Sequence, residues 1–154
     1  MAEKNQATKS EKETIEIEAL YVQLAKHMGY EDGTLTLYDV APTTLLFSDR
    51  PDRYTAHIPS HKFVQEWGLG GNDSFKADPP NAALSIFSDN DVKDVVVVLR
   101  DPVMTGDHVS YNVDILDGEM PASGGPSSLF IDVIGRPLSP MSVAGVRRRE
   151  MRRR

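Results

Sequence analysis

KDVVVVLRDPVMTGDHVSYNVDIL, residues 93–116, holds two runs that face each other across a turn, and its reading decides the fold. The first run, Asp94 to Arg100, is consecutively β-branched and apolar, which predicts a strand buried on both faces. The second, Val109 to Leu116, alternates: Val109, Tyr111, Val113 and Ile115 share one face, and Ser110, Asn112 and Asp114 the other. That is the pattern of a strand covering a core and meeting water behind. Between the runs, Asp101 to Asp107 contains Pro102 and Gly106, residues that reverse a chain, so the stretch predicts a hairpin with a long loop.

Outward from this hairpin the same grammar repeats. Upstream, Leu35 and Leu37 share a strand face, Thr43 to Phe47 forms a second run, and Tyr54 to Ile58 a short third. Pro59 and Ser60 then offer a helix start with Ser60 as N-cap, and His61 to Trp67 reads as one short helix placing Phe63, Val64 and Trp67 inward. Ala82 to Phe87 is a strand ending in a turn over Ser88 to Asp91, and Ser127 to Ile134 closes the domain. Six or seven short strands separated by Pro- and Gly-bearing turns predict an all-β protein, mainly an antiparallel sandwich or barrel, with the sandwich preferred. Ahead of it, Ile17, Leu20, Tyr21, Leu24, Ala25 and Met28 recur at helical spacing before Gly29, which predicts an N-terminal amphipathic helix. A strand over Thr14 to Glu18 competes with it through a short strict alternation. The predicted organisation is a disordered leader over 1–12, the helix over 13–30, a β-sandwich domain over 31–140 and a basic C-terminal arm over 141–154.

Three segments carry a resemblance: Thr43 to Pro51 (TTLLFSDRP), Ala77 to Ser85 (ADPPNAALS) and Gly124 to Asp132 (GGPSSLFID). Together they resemble a group of small β-rich bacterial proteins of unassigned function. The resemblance spans most of residues 33–146 and implies a β-rich fold there; it implies no activity and transfers no functional residue.

Charge is distributed unevenly along the 154 residues. The total of −6 combines +5 over residues 147–154, −1 over residues 1–30 and −10 over the stretch between them. An acidic body repels phosphate from its folded surface, whereas the tail attracts it. The absence of cysteine excludes disulfides, thiolate nucleophiles and Cys-ligated metal centres. Residues 1–30 contain no basic start followed by an apolar run, and no stretch approaches a membrane span. A soluble, cytoplasmic protein is the default expectation.

Candidate chemistry concentrates in two places. His57 and His61 stand four apart, a spacing that suits zinc on a helix, but Pro59 between them breaks the helix, so no metal is expected. Asp89, Asp91 and Asp94 begin like a calcium loop, but Lys93 stands where a ligand is wanted; they read as a solvated acidic turn. Asp49, Arg50, Asp52 and Arg53 read as an ion-paired turn, or as a recognition loop. If the domain has a pocket, Asp49, Arg50, His57, His61 and Trp67 are its candidate ligand-binding residues. There is no nucleophile elbow, phosphate loop or dinucleotide fingerprint, so neither a catalytic residue nor a cofactor is expected.

The second place is the arm. Arg147, Arg148, Arg149, Arg152, Arg153 and Arg154 repel one another and call for an anionic partner: nucleic acid, an acidic membrane or an acidic protein surface. The chain's own acidic body is one such surface. The sequence therefore predicts a non-catalytic binding or assembly protein, a homo-oligomer or a subunit of a larger assembly, whose N-terminal helix and arm dock on other subunits. The alternatives are a small-ligand or cation-binding, hydrolytic β-domain using the region from Asp49 to Trp67, and nucleic-acid binding through the tail.

Overall fold

A computed structural model describes residues 18–50 and 52–133. The leader, the strand predicted over Thr14 to Glu18 apart from its last residue, Ile134 and the arginine arm lie outside them. The chain runs through β1 (Glu18–Glu31), β2 (Thr34–Val40), β3 (Thr43–Arg50), β4 (Tyr54–Pro59), α1 (Ser60–Gln65), a 3₁₀ turn (Gly71–Asp73), β5 (Asn81–Ser88), β6 (Asp91–Thr105), β7 (His108–Asp117), β8 (Ser123–Gly124) and β9 (Ser127–Asp132). The structure is mostly antiparallel β-sheet, with little helix.

The strands pair in a ring. β1 pairs with β2, β2 with β7, β7 with β6, β6 with β5, β5 with β9, and β9 returns to β1, every pairing antiparallel. The sequence favoured a sandwich over a barrel; the pairing circuit is instead closed, and closure removes the exposed edges that the six strands of an open sheet would have to protect. Closure depends on the length of β1. Its first part, Glu18 to Val22, pairs with β3 and its second, Ala25 to Glu31, with β2, while its other side carries β9 and then β8. The β3–β4 hairpin thus continues the sheet off the ring, and α1 packs against β3, β4 and β6.

The predicted N-terminal helix is overturned over residues 18–28, which are strand. The reason lies in what is buried. Ala19, Tyr21, Gln23 and Ala25 are buried at period two, and Leu20 and Leu24 point outward and are exposed. Apolar residues on both faces of one strand supply a spurious helical stripe when the two faces are read as one. The domain boundary moves with it: β1 is part of the barrel, so the β unit begins by Glu18 rather than at residue 31.

The hairpin of residues 93–116 forms as expected, with Val97 opposite Ile115, Leu99 opposite Val113 and Met104 opposite Val109. Its long loop does not. β6 continues to Thr105 and turns at Gly106 and Asp107, and the stretch read as loop is a bulge between Arg100 and Val103, with Asp101 at φ 50° before Pro102. The valine run is fully buried on one face, through Val95, Val97 and Leu99, and only half-buried on the other, through Val96 and Val98. A barrel wall has one interior, so the outer valines have no second layer against them.

The interior is filled by Leu35, Leu37, Leu84, Ile86, Leu99, Leu129 and Ile131 from four strands, all essentially inaccessible to water. Each such side chain contributes about 1.5–3 kcal/mol on burial. At one end Tyr21, Phe63, Trp67 and Phe75 pack ring against ring, with centroids 4.8–6.1 Å apart. No helix among the described residues is long and apolar enough to cross a membrane.

After β7 the chain turns at Gly118, where φ is +90° and an added Cβ would stand 2.7 Å from the Asp94 carbonyl oxygen. Both the dihedral and the backbone contact exclude a side chain. Gly118→Ala is expected to destabilise the barrel by at least about 1–2 kcal/mol in urea unfolding, with unchanged m-value.

Candidate functional site

The residues grouped by sequence between Asp49 and Trp67 are spread over the β3–β4 hairpin and α1. Asp49 accepts a hydrogen bond from Arg53 Nε at 3.2 Å, and both side chains are exposed, which is the ion-paired turn. Arg50 closes β3, opposite Glu18. His57 lies opposite Leu45, three residue pairs along the hairpin from Ser48 and Tyr54, or about 10 Å away, and its Nδ1 is 3.1 Å from Thr43 Oγ1. His61 is exposed on α1. Trp67 is buried in the aromatic cluster, 5.8 Å from the ring of Tyr111, and its Nε1 has no hydrogen-bond acceptor among the described residues. Asp49, His57, His61 and Trp67 thus stand on different parts of the hairpin, the helix and the turn after it. No group of three His, Asp or Glu side chains among the described residues is placed to hold a metal ion.

What the hairpin does form is an open cleft of about 420 Å³, walled mainly by Leu20, Phe47, Tyr54 and Thr55 with Asp49 and Arg53 at its side. Its surface is almost wholly apolar. Of the predicted ligand residues Asp49 lines it, whereas His57, His61 and Trp67 do not.

Asp89 and Asp91 belong to the β5–β6 turn. Asp89 and Asn90 have φ 51° and 63°, the paired positive values of a two-residue hairpin turn, and Asp91 Oδ1 accepts the Val92 N–H at 2.9 Å. Local backbone geometry accounts for this acidic cluster.

The conspicuous chemistry lies inside the barrel. Tyr111 donates from its hydroxyl to Gln23 Oε1 at 2.6 Å, and Gln23 Nε2 donates to Thr44 Oγ1 at 3.2 Å. Thr44 and Ser60 hydroxyls are 2.9 Å apart, and Ser60 Oγ donates to the Ala41 carbonyl at 2.9 Å. Because Ser60 gives its one proton to Ala41, Thr44 is the donor between the two hydroxyls. The result is a single-direction chain from Tyr111 through Gln23, Thr44 and Ser60 to a backbone carbonyl, its four side chains inaccessible to water. It links β7, β1, β3 and the start of α1. Ser60 therefore turns inward and does not cap α1; Pro59 holds the N-cap position without a side-chain bond. Burial pushes the Tyr111 phenol far above its ordinary value, and the Gln23 hydrogen bond offsets part of that rise. A phenol held neutral in this way donates the first hydrogen bond of the chain.

Two outer surfaces complete the picture. On the wall formed by β3, β1 and β9, Leu45, Val22 and Phe130 stand in one cross-strand row, with Leu20 opposite Phe47 in a neighbouring row and Leu24 beyond. Val22 is buried and yet outside the core cluster, while Leu20, Leu24 and Phe47 are 36%, 43% and 46% exposed. On the far part of β1, His27, Tyr38 and His108 form an outer row across β1, β2 and β7, with ring centroids 5.4 and 4.8 Å apart. His27 Nε2 lies 3.5 Å from Asp39 Oδ2, and a polar cleft of about 570 Å³ opens beside Tyr38.

Sequence reasoning missed Gln23 and Thr44 altogether and gave Tyr111 and Ser60 other roles. The available signal was Gln23 itself, a polar residue at period two between Tyr21 and Ala25. Neither a family model, nor a curated protein, nor a solved structure matches this chain.

Tyr111→Phe is expected to leave Gln23 Oε1 buried without a donor and to destabilise the fold by about 1–3 kcal/mol. In the intact protein the folded state holds the phenolic proton more tightly than the unfolded chain, whose tyrosines ionise near pH 10. Stability is therefore full below about pH 10 and falls as pH rises above it. Urea midpoints across the alkaline range should show that fall, and the Phe variant should show less of it.

Proposed function

We propose that this chain is a non-catalytic binding and assembly protein: a β-barrel scaffold that docks on another subunit through its outer wall and through its arginine arm. One observation carries the reading. Leu20, Leu24 and Phe47 form an exposed apolar patch with Val22, Leu45 and Phe130 on the β3–β1–β9 wall, which gives a partner an apolar face to cover. The charge layout adds to it, since Arg147, Arg148, Arg149, Arg152, Arg153 and Arg154 carry a partner-seeking charge opposite in sign to the body. The N-terminal segment contributes to this reading as a wall strand and not as a docking helix.

A second reading is favoured by the cleft beside Phe47. Its volume of about 420 Å³ lies within the range of small-molecule sites, and its apolar lining suits a hydrophobic ligand. Nucleic-acid binding through the arm is a third reading, supported by charge alone.

Removing residues 142–154 is expected to leave the far-ultraviolet spectrum of the barrel unchanged and to alter the assembly state. Light scattering on the full chain and the truncated chain, at low and at moderate salt, checks this. A mass that falls with salt or with truncation supports the assembly reading. A single-chain mass under every condition removes it and moves attention to the cleft.

A further inference from the structure

We infer that the partner of the β3–β1–β9 patch is a second copy of this chain, joined isologously patch to patch, with each C-terminal arm laid against the acidic wall of the other barrel. The inference rests on the assembly reading and names its partner.

The patch itself is the first argument. Leu45, Val22 and Phe130 span three strands at about 4.8 Å spacing, and the five residues from Leu20 to Leu24 extend about 13 Å along β1. That footprint, on the order of 130 Å² between backbones, is the apolar centre of an interface rather than the whole of one, because a stable interface buries about 800 Å² per partner and carries a polar rim. Among the described residues the charges beside it offset one another: Asp132 stands opposite Leu20, exposed Lys26 lies two residues beyond Leu24, and Asp49 is paired with Arg53. Two bodies of like charge approach with least repulsion across such a neutral surface.

The second argument is where the chain leaves the barrel. Val133 donates its N–H to the Ala19 carbonyl at 3.2 Å, one residue before Leu20, so the remaining 21 residues start at the rim of the patch. Fully extended they reach at most about 70 Å, ample to cross a neighbouring barrel. Their last eight residues carry +5 and the stretch 31–146 carries −10. In a two-fold pair both arms issue at the junction, where each meets the acidic surface of the other subunit. A second copy therefore supplies both complements at once, an identical apolar patch and a basic arm, and the arms provide the polar rim that the patch lacks.

The experiment is sedimentation velocity on the full chain at several concentrations, with three variants whose folding is checked by circular dichroism. The wild type is expected at the mass of two chains. Leu24→Glu/Phe47→Glu, two exposed positions, is expected at the mass of one. Val103→Glu/Leu116→Glu, exposed apolar positions off the patch, is expected to stay at two. Should the glutamates prevent folding, Leu24→Ala/Phe47→Ala is expected to weaken dimerisation at least tenfold. If the patch variants keep the two-chain mass while truncation of the arm changes it, the inference fails and the assembly reading stands. If the wild type is a monomer with or without its arm, both fail. A monomer that becomes larger only with added nucleic acid overturns the inference in favour of that partner.

Discussion

The pairing of β1 on both sides is the constraint on which the rest of the structure depends. One strand of 14 residues bonds to β9 and β8 along one side and to β3 and β2 along the other, and only so does the ring of six strands close. The switch from β3 to β2 falls where Ala25 meets Val40, just beside Asp39, whose φ of 53° marks an irregular backbone. The face of β2 changes there, so that Val40 and Leu37 are both buried while Tyr38 points out to His27 and His108. The buried row and the outer aromatic row are two results of one backbone irregularity.

The polar chain from Tyr111 to Ser60 has a positioning role within this frame. Apolar packing is tolerant of small shifts, whereas four aligned hydrogen bonds in a dry interior are not. By tying β7 to β1, β1 to β3, and β3 to α1, the chain sets the angle at which the β3–β4 hairpin and its helix leave the ring. Phe47 lies opposite Leu20 through the β1–β3 pairing itself, and the two residues belong to both the cleft and the outer patch. The interior polar groups and the exterior apolar ones are thus parts of one arrangement: the former hold the wall, and the latter present it.

The last eight residues and the stretch 31–146 carry opposite charges on the same chain. In the proposed pair, long-range attraction of this kind would govern encounter and be weakened by salt, while burial of Leu20, Leu24 and Phe47 would govern persistence. An interface built from both responds to ionic strength in rate before it responds in lifetime.

The short strands, their turns, the hairpin of residues 93–116 and the uneven charge were legible in the sequence, because alternation, β-branched runs and Pro or Gly punctuation are local properties. The tertiary structure alone decided the rest. Leu20 and Leu24 share a helical stripe with Tyr21 and Met28, and only pairing partners on both flanks of β1 separate the outward pair from the buried pair. The dispersal of Asp49, His57, His61 and Trp67 was equally hidden, since nearness along a hairpin and a helix does not fix which way side chains point. Gln23, Thr44, Ser60 and Tyr111 carry no motif, being up to 88 residues apart and brought into one chain only by the closed ring. Local pattern thus determined that this chain is built of strands. Closure, a long-range pairing with no local signature, determined which face of each strand is inside and which faces water.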